Sequence, residues 1–152
     1  GDERWEGHYF PAVPWPGNTY IITERSSGRP VVRSEDDGRV VLGEPDDDDW
    51  DVRGPRAAVN GRWYCVESNN YLGFQDPQTS RYLGHNIHDA VVATARSISD
   101  WEHVIVRPHP DGGFQLLSKY WISSLMLLTI DADGKSLVRR MHGSTLFDFK
   151  KV

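Results

Sequence analysis

Apolar and aromatic residues fall in short runs along this chain, and nearly every run is closed by Gly, Pro, Asn or Asp. That punctuation predicts many short strands rather than helices. Candidate strands cover 20–23, 31–33, 39–42, 50–53, 63–67, 71–75, 82–85, 91–95, 101–107, 114–118, 125–130, 136–139 and 146–150, about a dozen once boundary error is allowed for. The only stretch with helical character is 87–96, and its Val91-Val92 pair suits a strand better. The fold class expected is all-β.

The runs also repeat. The segment 71–86 contains Tyr71-Leu72-Gly73, a polar turn around Asp76-Pro77, and then Tyr82-Leu83-Gly84. At longer range, Trp50 and Trp101 each follow an Asp and precede an acidic residue, 51 positions apart, and Phe147 takes the same place 46 later. Thirteen residues after Trp50 comes Trp63, and thirteen after Trp101 comes Phe114, each just behind a Gly turn; Tyr20 fits that second place near the start. These intervals predict three units of about four strands, 17–60, 61–112 and 113–152, behind an N-terminal extension, 1–16. One such unit has one apolar face and cannot bury it alone. Three closing on each other make a single β-trefoil, a barrel of hairpins with a hairpin triplet across one end, which supplies a core and limits exposed edges. Trp50, Trp101 and Phe147 are then expected in the core near the pseudo-threefold axis, and the doubled Tyr-Leu-Gly is expected as the second unit's middle hairpin.

The run Tyr82-Leu83-Gly84-His85, then Val92-Ala93-Thr94-Ala95, Trp101-Glu102-His103-Val104 and Gly113-Phe114-Gln115-Leu116-Leu117-Ser118 resembles the repeating unit of the fascin-like branch of the β-trefoil superfamily, which includes actin-crosslinking and ricin-B-like trefoil proteins. The resemblance implies the trefoil fold and, among its activities, actin-associated scaffolding. Ricin-type lectin trefoils carry a Gln-x-Trp element; here the matching places read Asp48-Asp49-Trp50 and Ser99-Asp100-Trp101, without the Gln. Since this fold hosts unrelated activities, function has to be argued from sites.

Charge narrows the partners. With 17 Lys and Arg against 22 Asp and Glu in 152 residues, the net charge is −5 and the basic residues are scattered, which argues against nucleic-acid binding. No apolar run is long enough to span a bilayer, and no membrane partner is expected. The single cysteine, Cys65, cannot form an intrachain disulfide and reads as an apolar residue within a strand; a reducing, cytoplasmic location is the expectation. Asp46 to Asp49 lack the spacing and glycine of a calcium loop and read as a solvated turn, as does Glu35-Asp36-Asp37-Gly38.

Candidate chemistry is sparse. His85, His88 and Asp89 sit within five residues and, in an enzyme, are the acid and base to consider. No further Cys or His stands at metal-ligating spacing, so no metal is expected, and no cofactor motif or nucleophile elbow is present. Aromatics are more telling. Trp5, Tyr9, Phe10 and Trp15, with His8 among them, precede the first unit, and Trp121, in Lys119-Tyr120-Trp121, has no counterpart in the other two units. They either cover one end of the barrel or line a site. The leading reading is a non-catalytic recognition module, binding a carbohydrate or protein by stacking on Trp121, Trp15, Trp5 and Tyr9 with hydrogen bonds from Asn86, His88 and Arg139. The second is a cofactor-independent isomerase or cyclase of specialised metabolism holding an apolar small molecule in an aromatic pocket; the third is an actin-associated scaffold.

Overall fold

The computed structural model describes residues 13–44 and 61–152. Within them lie twelve strands: β1 (Thr19–Glu24), β2 (Val31–Arg33), β3 (Val40–Leu42), β4 (Arg62–Ser68), β5 (Tyr71–Asp76), β6 (Arg81–His85), β7 (Val91–Ala95), β8 (Val104–Pro108), β9 (Phe114–Tyr120), β10 (Ser124–Ile130), β11 (Leu137–Arg140) and β12 (Phe147–Lys151). The only helical element among the described residues is a 3-10 turn, Asp100–Glu102. The stretch 87–96 holds β7, in agreement with its β-branched pair.

All pairing is antiparallel. β1 pairs with β4 and β12, β4 with β5, β5 with β8, β8 with β9, and β9 with β12, so six strands close into a ring. The other six form the hairpins β2–β3, β6–β7 and β10–β11. Single bridges join these hairpins in all three combinations, Arg39 to Val92, Val41 to Ser136 and Ala90 to Val138. Barrel and hairpin triplet together are a single β-trefoil.

The registers of the six barrel ladders fix which residues correspond. They superpose Ile22 on Phe74 and Leu116 in the first strands, and Trp63 on Val104 and Phe147 in the fourth. The units are therefore β1–β4, β5–β8 and β9–β12. The division expected at Gly61 is misplaced: residues 62–68 close the first unit, and the boundary is the turn at Asn69 and Asn70, both in the left-handed region at φ 53° and 70°. The error has a clear source. The spacing puts Trp63 and Tyr20 at one place of the repeat, yet the two are cross-strand partners in β1 and β4, so their likeness is that of neighbours in one ladder.

The core expectation also divides. Phe147 is fully buried, but Trp101 stands on the 3-10 turn at 45% exposure, and the barrel place expected for it belongs to Val104. Trp50 and the Asp46 to Asp49 run lie outside the described residues. The doubled Tyr-Leu-Gly spans β5 and β6, the first and second strands of its unit, which pair only at Gln75–Tyr82 and Asp76–Arg81; the middle hairpin is β6–β7.

Alternation builds the interior. In β1, Tyr20, Ile22 and Glu24 are buried while their neighbours are half-exposed, and in β4 Trp63 and Cys65 are buried. Phe149 packs against Tyr20, Phe74 and Phe114 with ring centroids 5.8, 5.8 and 5.7 Å away, bringing all three units onto one ring. Trp63 runs up the barrel, and its indole N–H donates to the Val31 carbonyl at 2.9 Å, satisfying the one polar atom of a fully buried side chain. The Glu35–Gly38 segment is a turn between β2 and β3, with Gly38 at φ 74°.

Candidate functional site

The threefold repeat creates related grooves where the turn after a first strand meets the preceding unit. Glu24, Asp76 and Ser118 occupy the same place at the ends of β1, β5 and β9 by the registers above. In the first two units a buried carboxylate ties down its own turn: Glu24 accepts from the Ser26 and Ser27 amides, both at 3.0 Å, and Asp76 accepts from the Gln78 amide at 3.1 Å and the Thr79 hydroxyl at 2.7 Å. Ser118 cannot do this. Its turn instead carries Trp121 in the left-handed region, φ 55°, with the side chain 80% exposed.

Beside this turn is an open cleft of about 550 Å³ between the second and third units. One wall is Tyr120, Trp121 and Ile122; the other is the 3-10 turn with Asp100 and Trp101, next to the end of β6 with His85, Asn86 and Ile87. The 3-10 turn is held by a capping box, in which the Ser99 amide and hydroxyl donate to Glu102 at 3.0 and 2.9 Å. It rests on β6 at Gly84, where any Cβ would stand 2.7 Å from the Trp101 carbonyl oxygen. That close approach lays Trp101 over the His85 ring, centroids 4.9 Å apart and 29° between planes.

The floor is polar and fixed. Arg139, on β11, is 7% exposed; its Nε and Nη2 donate to Asp89 Oδ1 at 2.9 and 2.8 Å, and Nη1 to the Lys119 carbonyl at 2.9 Å and Ser118 Oγ at 3.3 Å. Its guanidinium carbon also lies 5.5 Å from the Tyr120 ring centroid. Lys119 bridges the walls, its Nζ 2.9 Å from Asp100 Oδ1 and 4.3 Å from the Tyr71 ring centre. Asn86 Oδ1 accepts from the His88 and Ala90 amides at 2.9 and 3.1 Å, which shapes the loop. Burial pushes the His85 pKa below the usual imidazole value, aided by the Arg139 charge and opposed by the backbone bond to Asn86 and by Asp89 and Glu102. Next to the cleft, burial lowers His103 in the same direction, with Lys119 contributing. Cys65 is buried in β4 and burial pushes its thiol up to about 12, so it has no nucleophilic part in this arrangement.

The sequence candidates thus separate. Trp121, Asn86, Arg139 and His85 come together; Asp89 reaches them as the partner of Arg139. His88 is exposed and outside the cleft, so it does not join His85 as an acid–base pair. Trp15 does not join Trp121: it precedes the start of a first strand, where its amide donates to Tyr20 Oη at 2.9 Å, while Trp121 follows the end of one, at the other end of the barrel. Trp5 and Tyr9 lie outside the described residues. Trp101, Tyr120, Lys119 and Asp100 also line the cleft, with no such expectation from the sequence. The Ser99-x-x-Glu102 capping signature was the available sign that Trp101 belongs to a helical turn rather than a core strand. Among the described residues no group of three or more His, Cys, Asp or Glu is arranged to hold a metal ion.

No protein-family model and no curated protein sequence matches the chain. Solved structures do. The GlcNAcα1-4Gal-releasing endo-β-galactosidase from Clostridium perfringens superposes with a TM-score of 0.72 at 15% identity, over 90% of this chain but only 33% of the enzyme, so the chain spans a third of that protein. A BEL β-trefoil gives 0.68 at 15% identity, covering 95% of this chain and 100% of its own. SeviL bound to asialo-GM1 saccharide gives 0.62 at 14% identity, covering 89% and 96%. At these identities the likeness shows the β-trefoil fold.

Proposed function

We propose that the protein is a non-catalytic recognition module that binds a neutral carbohydrate in the cleft between the second and third units. The observation that carries this is the pair of exposed indoles, Trp101 and Trp121, facing a buried floor of already oriented polar groups. A left-handed backbone costs a bulky residue on the order of 1 kcal/mol, and exposing its indole adds nothing to the core, so the fold alone gives no reason for Trp121. Stacking on the apolar face of a sugar ring gives one. Both cations near the floor are matched by carboxylates, Lys119 by Asp100 and Arg139 by Asp89, which suits an uncharged ligand. The saccharide in the SeviL structure and the galactosidase named for its action on GlcNAcα1-4Gal support the reading by analogy of fold. Kinship with the fascin-like branch belongs to the same proposal and rests on the motifs of residues 82–118.

The test is a tryptophan-fluorescence and thermal-shift screen against neutral oligosaccharides, repeated with Trp121→Ala and Trp101→Ala. Each substitution removes a stacking partner and is expected to weaken a hit about tenfold, corresponding to roughly 1.4 kcal/mol. A hit with unchanged affinity in both variants would place the ligand elsewhere.

A further inference from the structure

His85 has a feature that stacking and packing do not use. Its Nδ1 lies 3.0 Å from the Asn86 carbonyl oxygen. A carbonyl only accepts, so Nδ1 carries the proton and the neutral ring keeps a bare lone pair on Nε2. The side chain is 5% exposed and borders the cleft, and no hydrogen bond reaches Nε2 from any described residue. The other floor groups have no acceptor to spare: Arg139 and Lys119 only donate, and Asn86 Oδ1 already accepts two amides. Asp100 sits at the rim with its side chain 81% exposed and is bridged to Lys119.

We propose that His85 Nε2 is the acceptor on the floor of this cleft for a ligand hydroxyl, which makes His85 a specificity-determining residue. This rests on the carbohydrate reading above. A saccharide that presents a hydroxyl at this position is accepted; one with a deoxy or O-methyl group there leaves the imidazole unpaired or clashes, and is refused. Protonation turns the acceptor into a donor, so binding is strongest with the neutral ring and declines only as pH falls through the folded imidazole's value, which burial holds below that of a free histidine. The charged and titratable groups around the ring are Arg139 from β11, Asp89 from the loop before β7, Glu102 and Asp100 from the 3-10 turn, Lys119 from β9 and His103 ahead of β8.

The experiment is imidazole ¹⁵N NMR on the full chain, free and with lactose, N-acetyllactosamine, cellobiose and methyl α-mannoside, alongside tryptophan fluorescence. Support would be an unprotonated Nε2 in the free protein whose resonance moves with a saccharide. His85→Phe, which keeps the ring under Trp101, should then lose about tenfold in affinity and the decline at low pH. His85→Gln keeps an amide acceptor and should stay within about threefold while losing the same pH dependence, a control should the Phe variant fold poorly. A proton on Nε2 in the free protein, or a saccharide that perturbs Trp121 while Nε2 and the His85→Phe affinity stay unchanged, overturns the inference and leaves the carbohydrate reading standing. No tryptophan response to any of the four overturns both.

Discussion

Gly84 and Gly73 end the two copies of Tyr-Leu-Gly, and the structure gives them different work. Neither has the left-handed backbone that demands glycine, so the space around each decides. A Cβ on Gly84 would meet the Trp101 carbonyl oxygen at 2.7 Å, Glu102 Oε2 at 2.8 Å and Glu102 Cγ at 3.0 Å. The first is backbone, and the Glu102 carboxylate is buried and held by Ser99, so neither gives way without moving the 3-10 turn. Gly84→Ala is overpacking against a fixed wall, and about 2 kcal/mol is the expected loss. For a chain of this size that lowers Tm by roughly 4–8 °C. On Gly73 the nearest atom is the Ile98 Cδ1 methyl at 2.8 Å, then a Val66 methyl at 3.3 Å, and the end of a half-exposed isoleucine can swing aside. Gly73→Ala should cost less than about 1 kcal/mol. Urea unfolding of both variants with a common m-value measures the difference. Gly84→Ala should also shift Trp101 emission, since the same wall holds its indole on His85. If the two variants fall within about 0.5 kcal/mol of each other, or Trp101 is undisturbed, close approach of the turn is not what Gly84 serves.

Trp63→Phe leaves the Val31 carbonyl without its buried donor and a void where the indole stood; a loss of about 2–3 kcal/mol in urea unfolding is expected, and less than 1 would contradict the role given to that bond. Stability should also depend on pH through His85 and His103, both with folded pKa values below the ordinary one. The unfolded chain takes up protons near pH 6.5 while the folded chain does so only lower, so their contribution is complete above about pH 7 and is lost as pH falls through 6.5 toward the folded values. Thermal unfolding at pH 8 and pH 5.5 checks the sign, and His85→Phe should flatten part of the slope.

Strand existence was legible because each strand is short and closed by residues with a mechanical reason to turn. The pairing was not. Trp63 and Tyr20 look like copies of one position because both are large, apolar and near a Gly turn, but partners facing each other across a ladder need the same character as residues related by a repeat. Only register tells them apart. The cleft shows the same limit. Trp121 could be singled out because it breaks the repeat. Arg139 and Asp89 could not be paired, since they stand 50 positions apart and meet only when the third unit closes on the second. The registers add what the aromatic pattern could not: Glu24, Asp76 and Ser118 are one position seen three times, and the two carboxylates hold their own turns. Where serine replaces the acid, the turn loses that internal tie, the Ser118 hydroxyl instead accepts from Arg139, and Trp121 stands out toward solvent. Ser118 in place of an acid therefore coincides with both the left-handed, exposed tryptophan and the buried arginine floor, and that coincidence of three departures from the repeat is what singles out the second-to-third cleft as the proposed site.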